Sequence, residues 1–122
     1  MKRISVTAVA LVFAALESHG AFLTNLHNFT FYDGASPTAG LVLSNHTLYG
    51  TTMLEGAYGV DGGGTVFQLD DNATGFTNIH NFTISSYDAS INAYTNSDGS
   101  GPNAVLIVSG NTLFGTTGVS QV

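Results

Sequence analysis

The sequence predicts an all-β protein made of antiparallel four-stranded repeat units with the size and strand order of a propeller blade. Three observations lead there. The hexapeptide at Thr47–Thr52, TLYGTT, returns at residues 112–117 as TLFGTT. The octapeptide at 23–30, LTNLHNFT, returns at 76–83 as FTNIHNFT, identical at six of eight positions and apolar in both copies at the other two. Around these copies lie short runs of β-forming residues, punctuated by Gly, Asn and Asp and carrying few helix signals.

In chain order, residues 22–31 read as a strand, and 32–38 as a loop in which Gly34 and Pro37 supply the turn chemistry. The apolar run at 40–44, the pair Asn45-His46 and TLYGTT then form a hairpin. Residues 104–109, Gly110-Asn111 and TLFGTT repeat it. A two-residue loop between β-forming runs selects a type I′ or II′ turn, whose positive φ suits Gly and Asn and is tolerated by His better than by most residues. Both copies read as the same tight hairpin. Gly50 and Gly115 interrupt its second strand, which marks a bulge or the close approach of another backbone. Residues 53–64 are a Gly-rich connection with too little apolar content for an element. A further strand at 65–69 and a turn at 70–75 lead into the second octapeptide.

Residues 40–84 therefore hold four consecutive strands, a complete meander. The octapeptides are offset by 53 residues and the hairpins by 65, so the stretch 85–101 contains twelve extra residues. It is rich in Ser, Asn, Asp and Tyr and is expected to be an exposed, mobile loop. The strand at 22–31 and the strands at 104–117 belong to partial units, and no counterpart of 64–69 follows the second hairpin. A propeller closes with about four blades, and stacked repeats need about three to bury a continuous core. The expectation is a piece of a longer array, or self-association, or a small open sheet of marginal stability. Runs such as GLVL and AVLIV, apolar throughout, suit strands covered on both faces by neighbouring units.

The N-terminus reads as a secretory signal over residues 1–20. Met1-Lys2-Arg3 is followed by thirteen residues, 4–16, that are predominantly apolar, and then by small residues near Gly20 and Ala21. This stretch is too short to span a bilayer, and residues 21–122 form the β-repeat region. Lys2 and Arg3 are the only Lys or Arg residues, so the mature part has none against seven acids: Asp33, Glu55, Asp61, Asp70, Asp71, Asp88 and Asp98. Such a chain cannot neutralise phosphates, which disfavours nucleic acid and anionic lipid as partners, and no membrane insertion is expected once the signal is removed. Cysteine is absent, which excludes thiol catalysis and thiolate metal sites. Export without disulfides suits a bacterial extracellular, cell-surface or periplasmic protein.

Pro37, Leu41, the motif Leu48 to Thr52 and the run Gly63 to Leu69, with a partial second match at Pro102 and Leu113 to Thr117, resemble the tandem extracellular repeat called GloVer. The resemblance covers most of the mature chain. It implies a secreted bacterial protein of many propeller-like repeats, often anchored at the surface through a C-terminal signal, and it brings no biochemical activity.

Candidate chemistry is sparse. His27 and His80 are equivalent positions in the octapeptides and His46 lies in a turn, so their spacing gives no converging metal set. Asp70, Asn72 and Thr74 resemble the start of a calcium loop, but its twelfth position is Asn81 where a bidentate Glu is needed. A turn that caps its own backbone is the plainer reading. A looser calcium site from Asp61, Asp70, Asp71 or Asp98 stays open. Gly62-Gly63-Gly64-Thr65 lacks the Lys and helix of a phosphate loop, and there is no nucleophile elbow. Tyr49 is expected to pack between units, because its counterpart is Phe114. Tyr87 and Tyr94, in the insert, are the candidates for an exposed ligand contact. Asn28, Asn45, Asn72 and Asn81 each begin an Asn-x-Thr acceptor triplet.

The function expected is a non-enzymatic exported module with a structural or binding role at the surface. It needs no cofactor, and its partners are further repeats, other copies of itself, or an extracellular carbohydrate or protein. The alternative is a fragment of an extracellular propeller enzyme or of a carbohydrate- or calcium-binding propeller. That alternative requires two of Asp61, Asp70, Asp71, His27 and His80 around one cleft.

Overall fold

The computed structural model describes residues 23–118. The signal expected at 1–20 lies outside the described residues. Four strands, β1 (Val42–Ser44), β2 (Thr47–Thr52), β3 (Thr65–Asp70) and β4 (Thr77–Asn81), form one sheet in the order β1-β2-β3-β4, every neighbouring pair antiparallel. This is the meander that residues 40–84 encode. Its first turn has φ of 48° at Asn45 and 65° at His46, the double positive φ of a type I′ turn. That turn fixes the register Ser44↔Thr47, Leu43↔Leu48 and Val42↔Tyr49, and β3 pairs with all six residues of β2.

The bulge lies elsewhere than at Gly50. Register shifts between Val66 and Phe67 on β3, leaving Ile79 of β4 without an opposite residue. Gly50 sits opposite Phe67, and a Cβ there would lie 2.5 Å from Phe67 Cζ and 2.6 Å from Leu41 Cδ2. Side chains, not a second backbone, claim the space. Gly115 does the same for Leu106, whose Cδ2 would be 2.6 Å from an added Cβ.

The insert is ordered rather than a loop. Strands β5 (Ser86–Asp88) and β6 (Ala93–Thr95) pair antiparallel with Tyr87 opposite Tyr94. The two rings meet edge to face at 5.4 Å, a cross-strand aromatic contact that favours pairing, and the Asp88 carboxylate accepts from the Ser90 N–H and hydroxyl in the turn. Between β2 and β3 the Gly-rich connection holds one 3₁₀ turn, Gly59–Asp61, tied by isolated bridges Ala35↔Leu54 and Glu55↔Gly63.

The second hairpin, β7 (Ile107–Ser109) and β8 (Thr112–Phe114), keeps the register of the first, with Ile107↔Phe114 standing 65 residues after Val42↔Tyr49. Its turn is of another type. Only Gly110, at φ 58°, is positive, the pattern of a type II′ turn. The strands expected over 104–117 are also shorter: β8 ends at Phe114, whereas β2 runs on to Thr52 because β3 holds its outer edge. The same reason corrects the strand expected at 22–31. Residues 23–30 take no strand pairing among the described residues, while their near-identical copy does so as β4 beside β3.

Among the described residues Phe67, Leu69, Phe82 and Leu106 form the buried hydrophobic core. They mark two packing layers. The first face of the sheet, with Leu48, Gly50, Phe67 and Leu69, is covered in part by the N-terminal segment, whose Phe29 ring lies 5.0 Å from that of Phe67. The second face, with Tyr49, Thr51, Val66 and Gln68, is met by the second hairpin through Leu106, Leu113 and Gly115. The apolar runs are therefore covered on one side only in places: Leu43 is 58% and Ile107 66% exposed, with no further unit among the described residues lying against them.

At the end of the β2–β3 ladder, in line with Gly50 and Phe67, Thr52 and Thr65 are wholly buried, their hydroxyls 2.8 Å apart, and the Thr65 N–H donates to Thr52 Oγ1 at 3.1 Å. Gly34, at φ 125°, passes so close that a Cβ would overlap the Thr52 hydroxyl, and Gly99 stands in the same relation to Thr117. Thr52→Val strands a buried hydroxyl and an N–H and is expected to cost about 2 kcal/mol. Gly34→Ala combines a left-handed φ with overlap and is expected to cost at least about 2 kcal/mol. Urea unfolding of both variants checks this, and unchanged midpoints would contradict it.

Candidate functional site

The residues that the two octapeptides share converge on one local arrangement, built twice. His27 Nε2 lies 3.0 Å from Asp33 Oδ2, and Asp33 Oδ1 accepts from the Thr30 N–H at 2.5 Å and the Thr30 hydroxyl at 3.0 Å. In the second copy His80 Nε2 lies 3.0 Å from Asp98 Oδ2. There Asp98 Oδ1 accepts from the Thr83 hydroxyl at 2.6 Å and the Thr83 N–H at 3.3 Å. Each imidazole also meets the Phe two residues on, edge to face, at 4.8 Å for Phe29 and 4.5 Å for Phe82. His27 is further stacked on Phe76 at 3.6 Å.

The histidines are 53 residues apart and the aspartates 65 (98 − 33), so the whole β5–β6 hairpin is inserted inside the second clasp without opening it. Sequence reading missed both aspartates as partners. The signal was present in the Asp-Gly pairs Asp33-Gly34 and Asp98-Gly99, which share the offset of the hairpins.

Both carboxyls are held below the ordinary value of 3.8. At Asp33 partial burial is the largest influence and pushes upward, but hydrogen bonds from the Thr30 N–H, His27 and the Thr30 hydroxyl together outweigh it. At Asp98 the Thr83 hydroxyl is the main cause, burial opposes it, and the Thr83 N–H and His80 add to the lowering. A third pair, His46 Nδ1 to Asp71 Oδ2 at 2.8 Å, lies at the exposed β1–β2 turn. Each described histidine thus faces an aspartate.

A His–Asp pair can orient an imidazole as a base, but it needs a group to deprotonate. Among the described residues neither His27 nor His80 is hydrogen-bonded to a hydroxyl; the threonine hydroxyls go to the carboxylates instead. Of Asp61, Asp70, Asp71, His27 and His80, His27 borders an open hollow beside the sheet. That hollow, of about 430 Å³, is lined chiefly by apolar residues such as Leu26, Phe29, Leu41, Phe67 and Leu69.

Thr74 donates through its hydroxyl to Asp70 Oδ2 and Asn72 Oδ1, and through its N–H to Asn72 Oδ1, so this turn caps itself. Among the described residues no three His, Cys, Asp or Glu side chains group as a metal ion would require. Residues 62–65 lead into a strand, not a helix. Tyr49 lies where the sheet meets the second hairpin. Tyr87 and Tyr94 are brought together on the insert, both about half exposed, with the Tyr87 hydroxyl donating to Asn92 Oδ1. No protein-family model, curated protein or solved structure matches the chain.

The lowered carboxyls have a pH consequence. A group whose folded pKa lies below its unfolded one adds stability above the unfolded value and loses it as pH falls through the folded value. Stability contributed by Asp33 and Asp98 is therefore present above roughly pH 4 and disappears below it. Urea midpoints measured from pH 6 downward are expected to fall steeply in that range for the wild type and less steeply for Asp98→Asn. Equal slopes would contradict the assignment.

Proposed function

We propose that this chain is an exported, non-enzymatic β-repeat module of the GloVer type, its units propeller-like blades that serve a structural or binding role at a bacterial surface. The observation that carries this reading is the duplication of the His–Asp–Thr clasp. Residues kept in both copies are spent on local hydrogen bonds and ring contacts that position the next hairpin, as expected when repetition maintains a scaffold. The Gly50–Leu41 and Gly115–Leu106 contacts support it in the same way.

Binding then falls to what is not repeated. The β5–β6 hairpin occurs in one unit only and carries the exposed Tyr87–Tyr94 pair, a flat apolar surface with hydroxyls of the kind that suits a carbohydrate or protein ligand.

Two measurements test this reading. Expressed with its own N-terminus in a bacterial host, the chain is expected in the periplasm or medium, cleaved near residue 20 on mass spectrometry; cytoplasmic retention of an uncleaved chain would contradict export. On an array of extracellular glycans, Tyr87→Ala combined with Tyr94→Ala is expected to abolish any binding by the wild type, with a loss of about 1 kcal/mol in unfolding free energy from the missing ring contact.

A further inference from the structure

The junction between the four-stranded sheet and the second hairpin is a pattern for a contact left open at both ends of the described chain. There the second face of the sheet, including Tyr49 and Val66, lies against the first face of the hairpin, including Leu106 and Leu113. Positions 65 residues apart hold the same places in the two registers. The sheet therefore has a first face of the hairpin's design, with Leu41 and Leu43 in the places of Leu106 and Val108. The hairpin in turn has a second face of the sheet's design, with Ile107 and Phe114 in the places of Val42 and Tyr49.

Burial separates these equivalents according to whether a neighbour is present. Leu106 is 6% exposed and Leu41 49%; Phe114 is 54% exposed, whereas Tyr49 is half-buried. Beside Leu41 the hollow of about 430 Å³ opens over Phe67 and Leu69, with Phe29 as its far wall. Phe29 stands to that face as Phe82 stands to the hairpin's, so one part of the covering layer is in place and the rest is not. No strand residue of either open face is charged.

We propose that a second copy of this chain docks head to tail, its Ile107 and Phe114 face seated on the Leu41 and Leu43 face of the first. The contact repeats between chains what the two units make within one. The inference rests on the repeat reading above. Because the two faces differ, the contact is heterologous: each added copy leaves one open face of each kind, and growth ends only if a ring closes.

Sedimentation velocity of the full chain over roughly 1 to 100 µM is expected to show mass rising with concentration. Phe114→Asp and Leu43→Asp, both at half-exposed positions, are each expected to remain monomeric with unchanged far-ultraviolet circular dichroism. An equimolar mixture pairs the intact face of one with the intact face of the other and is expected to give a dimer that grows no further. Ile107→Glu serves in place of Phe114→Asp should that variant unfold. A wild-type chain that stays monomeric throughout, or a mixture with no dimer, overturns head-to-tail docking. Such a result leaves the export test untouched, so failure of the docking is separable from failure of the repeat reading.

Discussion

The fold depends on a carboxylate that closes a turn from both sides. In each copy the aspartate takes an imidazole on one oxygen and a threonine N–H and hydroxyl on the other, which ends the octapeptide segment and sends the chain toward the next hairpin. Residues 23–118 contain no Lys or Arg, so histidine is the only side chain there that can carry positive charge. Hydrogen bonding to uncharged donors therefore carries most of the polar order. The clasp also fixes where Gly34 passes the buried Thr52 and where Gly99 passes Thr117, which links the first turn to the end of β2.

Partner availability, more than local sequence, decides which segments become strands. The octapeptide is a strand where β3 lies beside it and irregular where no described strand does. TLYGTT pairs along its whole length with β3 and over three residues with β1, and among the described residues TLFGTT pairs over three residues with β7 alone. Strand propensity is a preference for a pleated, packed surface, and these two comparisons separate that preference from its fulfilment. The same asymmetry leaves apolar faces open at either end of the described chain, where burial rather than composition distinguishes Leu41 from Leu106.

Much of the backbone plan was legible from residue types. Asn45-His46 and Gly110-Asn111 announced hairpins whose register is as expected, and the four strands of residues 42–81 stand in the expected order. Pattern could not reveal what depends on contacts distant in sequence. Gly50 read as a bulge or the close approach of another backbone because a missing side chain looks the same whether a backbone or a Phe ring fills the space. The insert read as a loop because its composition is polar, and the Tyr87–Tyr94 pairing that orders it shows only when the two strands are aligned. The clasps stayed hidden because histidine and aspartate are joined across six residues in one copy and eighteen in the other.

The central claim is that these duplicated residues form a scaffold clasp in both units. Amide hydrogen exchange at Thr30 and Thr83, followed by NMR, tests it most directly, since both N–H groups donate to the clasp carboxylates outside any strand. Both amides are expected to exchange slowly, with Asp33→Ala, which removes the acceptor, releasing Thr30 and Asp98→Ala releasing Thr83. Exchange at the rate of an unstructured chain in the wild type would contradict the account.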